Sequence, residues 1–233
     1  ACDRAPSPER IRPEWTMEFG LRAGVSYCEV AGQLLFLDVR RDRYFCLSET
    51  SEAAFRRVVQ GAEAAVPDAA ALAGMIGDGL LVPGAPPRRC PPVPQPQGSV
   101  VDALEAGSSS AATLGAIAGL VRARAALRVL GLARTLARLP SPIGTPSAAE
   151  QKASTMQVAA AYQQAGLLVT ALDRCLPRSI AVADRCRRLG IPVNLILGVR
   201  LQPFAAHCWV QLGETVVNDR LDKVRNFTPI LVQ

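Results

Sequence analysis

The sequence predicts an α+β chain in which two folded parts are joined by a proline-rich linker. Three observations lead there: three β-patterned segments followed by two short helical ones before residue 83, seven prolines between residues 83 and 98, and a helix-strand-strand pattern from residue 175 onward. Hydrophobic residues at 49% against 20% charged are enough to close an apolar core. The net charge of +6 comes from arginines scattered over helical stretches. A nucleic-acid surface would instead interleave a basic block with aromatics, so that role is disfavoured.

Residues 1–16 are polar and proline-containing, are expected to form a flexible arm, and hold no apolar run suited to a signal peptide. Residues 17–83 form the first expected domain. Val25–Val30 alternates, Ala31-Gly32 turns, Gln33–Val39 is a more apolar second strand, and Arg43–Leu47 is a third after the turn at Arg40–Asp42. Ser48 or Thr50 can cap a helix that runs through Val59 to Gly61, and Asp68 can cap another to Ile76. With Gly79–Val82 as a last strand, this reads as a winged helix-turn-helix carrying a three-stranded sheet. Its second helix has no Arg or Lys, which argues against DNA as its partner.

Residues 84–100 are the linker, too rich in proline for a helix or a central strand and therefore semi-rigid and extended. The second domain is expected over 101–233. Residues 109–139 are helical and rich in Ala and Leu, but Arg122, Arg124, Arg128, Arg134 and Arg138 interrupt them and speak against a membrane span. Pro140 to Pro146 break the chain, and Ser147 or Thr145 can cap a further helix over Ala148–Leu168.

The chemistry concentrates between residues 173 and 219. His207 is the only histidine among 233 residues, so imidazole chemistry must be done there. Arg178–Leu189 has helical periodicity, ends at Gly190 and Pro192, and places Cys175 at its start with Pro177 in the first turn. A thiol is a nucleophile only as thiolate, and a helix N-terminus and a nearby imidazole are the usual means of favouring that form. Val193–Val199 and Ala206–Leu212 read as strands, the second carrying His207, and Thr215–Val217 leads to Asn218-Asp219. Singly, Cys175 could be core filler, His207 a satisfied strand residue and Asp219 a turn residue. In the order Cys, His, Asp, 32 and 12 residues apart, they match the layout of thiol acyl-transfer sites in the papain and transglutaminase superfamily.

The flanking text is more specific. Arg174–Ser179, Arg187–Pro192, Gly198–Val210 and Asn218-Asp219 closely resemble the leader peptidase, or B protein, of lasso-peptide biosynthesis, over about the last 60 residues. The resemblance implies a transglutaminase-like, papain-like cysteine protease with Cys175, His207 and Asp219 as catalytic residues, which removes the leader of a ribosomally made precursor. It also implies an asparagine-synthetase-like cyclase as partner, which would supply any nucleotide dependence. Cys208 departs from the pattern, where a small residue such as Ala is expected. Gly32, Leu37-Asp38 and Arg43–Leu47 resemble the precursor-recognition domain typified by the peptide chaperone of pyrroloquinoline quinone biosynthesis. That implies leader binding by strand addition at Arg43, Tyr44, Phe45, Cys46 and Leu47. An oxyanion hole is expected from backbone N–H groups at the start of the Cys175 helix, with Gln163 and Gln164 as side-chain candidates on polarity alone.

The seven cysteines, at 2, 28, 46, 90, 175, 186 and 208, show no metal-ligand spacing, and no cofactor or metal is expected. Unpaired thiols without an export signal point to the cytoplasm. Two other classes fit the same residues: an acyltransferase or amidase using the same three groups, and a non-catalytic leader-delivery protein.

Overall fold

The computed structural model describes residues 19–61, 68–87, 89–104, 107–144, 146–169 and 175–233. They fall into two compact units, one drawn from residues 1–22 and 49–87 and the other from 23–48 and 88–233. The expected arm at residues 1–16 lies outside the described residues.

In the first unit, β1 (Phe19–Leu21) pairs antiparallel with β5 (Leu81–Pro83), and α1 (Glu49–Gln60) and α2 (Ala69–Gly77) lie between them in sequence. Asp68 stands at the N-cap position of α2 but does not cap it. Its two carboxylate oxygens are taken by the Arg57 guanidinium, whose forked donors match a carboxylate better than a single backbone N–H does.

The second unit holds the meander β2 (Val25–Val30), β3 (Gln33–Asp38) and β4 (Arg43–Phe45), in that order with β4 at one edge. The strand positions are as expected; the grouping differs. The expected boundary joins the meander to the two helices that follow it. In the structure Cys28, Leu35 and Leu37 instead share one buried core with Ile180, Val182, Leu195 and Val210 near the C-terminus. The cause is the run Leu34–Leu37, buried at every position, so that β3 has two apolar faces. One face joins that core, and the other carries the stacked rings of Tyr27, Phe36 and Phe45. Also, β5 pairs with β1, and among the described residues it adds no strand to this sheet.

The main sheet has the order β10-β7-β8-β9-β6, from β6 (Gly98–Ser99), β7 (Asn194–Leu201), β8 (Phe204–Leu212), β9 (Thr215–Val216) and β10 (Thr228–Val232). β6, expected within the linker, runs parallel to β9. The proline-rich stretch before it is held along the unit: Cys90 N–H donates to Tyr27 O, Gln211 Nε2 to Pro94 O, and Arg225 Nε to Pro96 O. It is a strap tied to the second unit rather than a spacer clear of it.

Three helices cover the sheet core: α3 (Ser110–Ala137), α4 (Ala148–Leu168) and α5 (Cys175–Arg188). Ala116, Leu120 and Ala123 form the buried stripe of α3, which bends where Gly131 leaves helical geometry. Arg122, Arg128, Arg134 and Arg138 are exposed, and Arg124 is half-buried. Among the described residues no helix is long and apolar enough to cross a membrane. Ser147 caps α4 in a full capping box with Glu150; the alternative cap, Thr145, lies outside the described residues. Tyr162 on α4 donates to Ala181 O of α5 at 3.1 Å, so α4 packs behind the helix that Cys175 opens. Gly190 ends that helix at φ +78°, where a Cβ would meet Ile143 O at 2.8 Å.

Candidate active site

Cys175 is the first residue of α5, where the backbone N–H groups of the opening turn have no intrahelical acceptor. It is half-buried and close enough to His207 to favour the charged imidazole. His207 sits in β8 opposite Gly198 of β7 and is 5% exposed. Strand alternation puts Trp209 on the same face, and the imidazole has the Trp209 ring 6.2 Å away and the Phe227 ring at 5.1 Å. The Arg200 guanidinium lies over the Phe227 ring at 5.5 Å.

Asp219 completes the chain of contacts, with His207 Nε2 2.7 Å from Asp219 Oδ2. The second carboxylate oxygen accepts from Arg220 N–H at 2.9 Å, and Lys223 Nζ lies 3.3 Å from Oδ2. The backbone of Asp219 is also fixed, since Ser99 Oγ donates to its carbonyl at 2.7 Å. Asp102, one turn on from Ser99, accepts from Leu221 N–H at the start of α6 (Leu221–Val224).

These contacts set the charges. Burial opposes ionisation of Asp219, but the hydrogen bonds from His207 and from Arg220 N–H, with the charges of His207 and Lys223, outweigh it and hold the carboxyl down at about 2. Burial likewise opposes charge on His207. There the bond to Asp219 and the nearby Cys175 prevail over burial and over Lys223, and the imidazole is raised above its ordinary value. An ionised carboxylate can only accept, so Nε2 carries the proton of that bond and Nδ1 is left to exchange a proton with the thiol.

Cys208 points to the other face of β8, in the helix-covered core, where burial pushes its thiol up and keeps it protonated. Tyr44 packs against the same core, and its ring makes an edge contact with exposed Phe204 at 5.6 Å. Burial, more than any neighbouring acidic group, raises its phenol and keeps Tyr44 a neutral O–H group.

The structure therefore brings Cys175, His207 and Asp219 together. Of the expected leader-binding residues, Arg43, Tyr44 and Phe45 form edge strand β4, while Cys46 and Leu47 follow it. Gln163 is exposed, and the Gln164 amide sits over Gly107, where a Cβ would be 2.7 Å from it. Trp209, Phe227, Lys223 and Ser99 escaped the sequence reading. Trp209 was recoverable from the alternation of β8; the other three come from segments without a clear pattern. Among the described residues no cluster of His, Cys, Asp and Glu could hold a metal.

Residues 117–232 match the transglutaminase-like superfamily. The chain is also similar to the Microcin J25-processing protein McjB of Escherichia coli, 42% identical over 45 residues, which are 19% of this chain and 22% of that protein. It thus spans about a fifth of the length of that curated relative. No solved structure matches the chain. The two matches support the resemblance to lasso-peptide B proteins read from the motifs between residues 174 and 219. Over residues 117–232 this chain carries a domain of the transglutaminase-like superfamily.

Proposed function

We propose that the chain is a cysteine peptidase that cleaves a lasso-peptide precursor at the junction of leader and core. The observation that carries the reading is the 2.7 Å bond between His207 and the Asp219 carboxylate, with the Cys175 thiol at the mouth of a helix near the same imidazole. The similar Escherichia coli protein is named for processing microcin J25, which fits a peptide substrate.

His207 takes the Cys175 proton at Nδ1 while Asp219 holds the ring through Nε2. The thiolate adds to the carbonyl of the last leader residue, and N–H groups at the start of α5 steady the oxyanion. The tetrahedral adduct collapses to a thioester as His207 protonates the departing core amine. Water, deprotonated by His207, then releases the leader as a free carboxylate and restores the thiol.

The leader is held at β4, the edge strand of its sheet, with Arg43, Tyr44, Phe45, Cys46 and Leu47 alternating about the added strand. From this edge the residues next to the scissile bond run on to the thiol, a route supported by the electrostatic influence of Cys175 on Tyr44. The free core amine is then available to an asparagine-synthetase-like cyclase that closes the macrolactam, with both proteins in the cytoplasm.

The test is to incubate precursor with the wild-type protein and with Cys175→Ala and weigh the fragments by mass spectrometry. Free leader acid and intact core from the wild type alone supports the peptidase. A leader amide formed with an added amine as the main product would make it an acyltransferase. Leader bound and never cleaved would make it a delivery protein.

A further inference from the structure

Each of the three candidate catalytic residues has a neighbour in one buried polar cluster. Ser179 lies one helical turn after Cys175 on α5 and is fully buried. Its hydroxyl donates to the carbonyl of Cys208, the residue after His207, at 2.8 Å. The same oxygen accepts from Nδ2 of Asn218, the residue before Asp219, at 2.9 Å. Asn218 Oδ1 in turn accepts from Val210 N–H on β8 at 2.8 Å. Asn218 is 5% exposed and Cys208 2%, so water does not compete for these bonds.

The last of these bonds has a structural reason. The backbone ladder from β8 to β9 pairs Leu212 with Thr215 and Gln211 with Val216, and Val217 N–H still reaches Val210 O. Beyond that the chain turns away to present Asp219. The Asn218 amide oxygen replaces the missing backbone acceptor for Val210 N–H, and its NH2 group links the turn to α5. An apolar residue at 179 or 218 would fill the space but could not set the helix, the histidine strand and the aspartate turn in a fixed register. Such buried networks specify one arrangement because every member must be satisfied at once.

We propose that Ser179 and Asn218 are positioning residues that align Cys175, His207 and Asp219 through the Cys208 carbonyl, an inference that rests on those three acting as one relay. Neither touches substrate. They act by holding the thiol and imidazole at bonding distance, where a displacement near 1 Å costs about 100-fold in rate.

Ser179→Ala and Asn218→Ala test it through alkylation of Cys175 by iodoacetamide, followed across pH by mass spectrometry of the peptide containing that residue, with thermal melts alongside. The charged and titratable groups around the pair, Asp219 and Lys223 on the carboxylate side and Tyr44 and Cys208 on the thiol side, stay unchanged in both variants. Alkylation at neutral pH should slow about tenfold or more, its midpoint should move toward that of an ordinary thiol, and kcat for precursor should fall in step while KM stays within about twofold. Ser179→Ala removes a single oxygen and keeps the test valid if Asn218→Ala does not fold. Variants that melt lower yet alkylate and turn over like the wild type would overturn the proposal, leaving the cluster a purely structural role. The alkylation readout needs no substrate. A shifted profile in a protein whose wild type cleaves no precursor would sink the peptidase reading and still support the alignment.

Discussion

Gly198 lies opposite His207 in the β7–β8 ladder, and the space where its side chain would stand is filled by the Trp209 ring. A Cβ there would come within 2.6 Å of that ring and 3.0 Å of Phe227 Cβ, and both side chains neighbour the imidazole. Gly198→Ala should therefore overpack the pocket, destabilise the protein by about 1–3 kcal/mol and tilt the imidazole away from Cys175. Urea unfolding and the cleavage rate check it. A variant of wild-type stability and rate would mean that the ring has room to move.

The His207–Asp219 pair gives stability a defined pH window. Asp219 is held at about 2 against an ordinary 3.8, so its contribution is complete above 3.8 and is lost as pH falls toward 2. One pKa unit is about 1.4 kcal/mol, which makes this limb roughly 2 kcal/mol. His207 is raised above 6.5, so its contribution is complete below 6.5 and fades as pH rises through its folded value. The two limbs are one interaction seen from each partner, and it is fullest between about pH 4 and 6.5. Asp219→Asn should flatten both limbs in urea titrations at pH 3, 5 and 8; an unchanged pH dependence would contradict the assignment.

Lys223 opposes positive charge on His207 and is half-exposed. Lys223→Met should move the alkaline limb of kcat/KM upward, by about 0.2–0.5 pH units given the small worth of exposed charge pairs. An unchanged or downward-shifted limb would contradict that influence of Lys223 on the imidazole.

Tyr44 joins the proposed leader edge to the neighbourhood of Cys175. Loss of its ring in Tyr44→Ala should weaken binding of a fluorescent leader peptide about tenfold, in the range of a single interface anchor, while Tyr44→Phe keeps affinity. Equal affinity in all three proteins would move the leader site off β4.

The parts of this protein legible in its sequence are those where one local signal decides the outcome. The cap and box at Ser147 and Glu150, the periodicity of α5 ending at Gly190, and the alternation around His207 each specify their element without help from distant residues. The grouping of β2–β4 with the C-terminal core was less legible, because an apolar run such as Leu34–Leu37 announces that both faces need cover and not which segment supplies it. The same holds for Gly98-Ser99, whose pairing with β9 depends on a partner more than 100 residues away. At the site, Cys175, His207 and Asp219 stood out by residue type and order. Ser179 and Asn218 did not, since a serine in a helix and an asparagine in a turn look like ordinary surface residues until the packing encloses them.

The relay through Cys175 is tested most directly by acid-quenching the reaction with precursor within the first turnover and mapping the modified peptide by mass spectrometry. The account predicts the leader acyl group on Cys175 as a thioester, with the core already released, and no adduct in Cys175→Ala. An acyl group on Cys46 or Cys208, or cleavage that proceeds unchanged in Cys175→Ala, would contradict it.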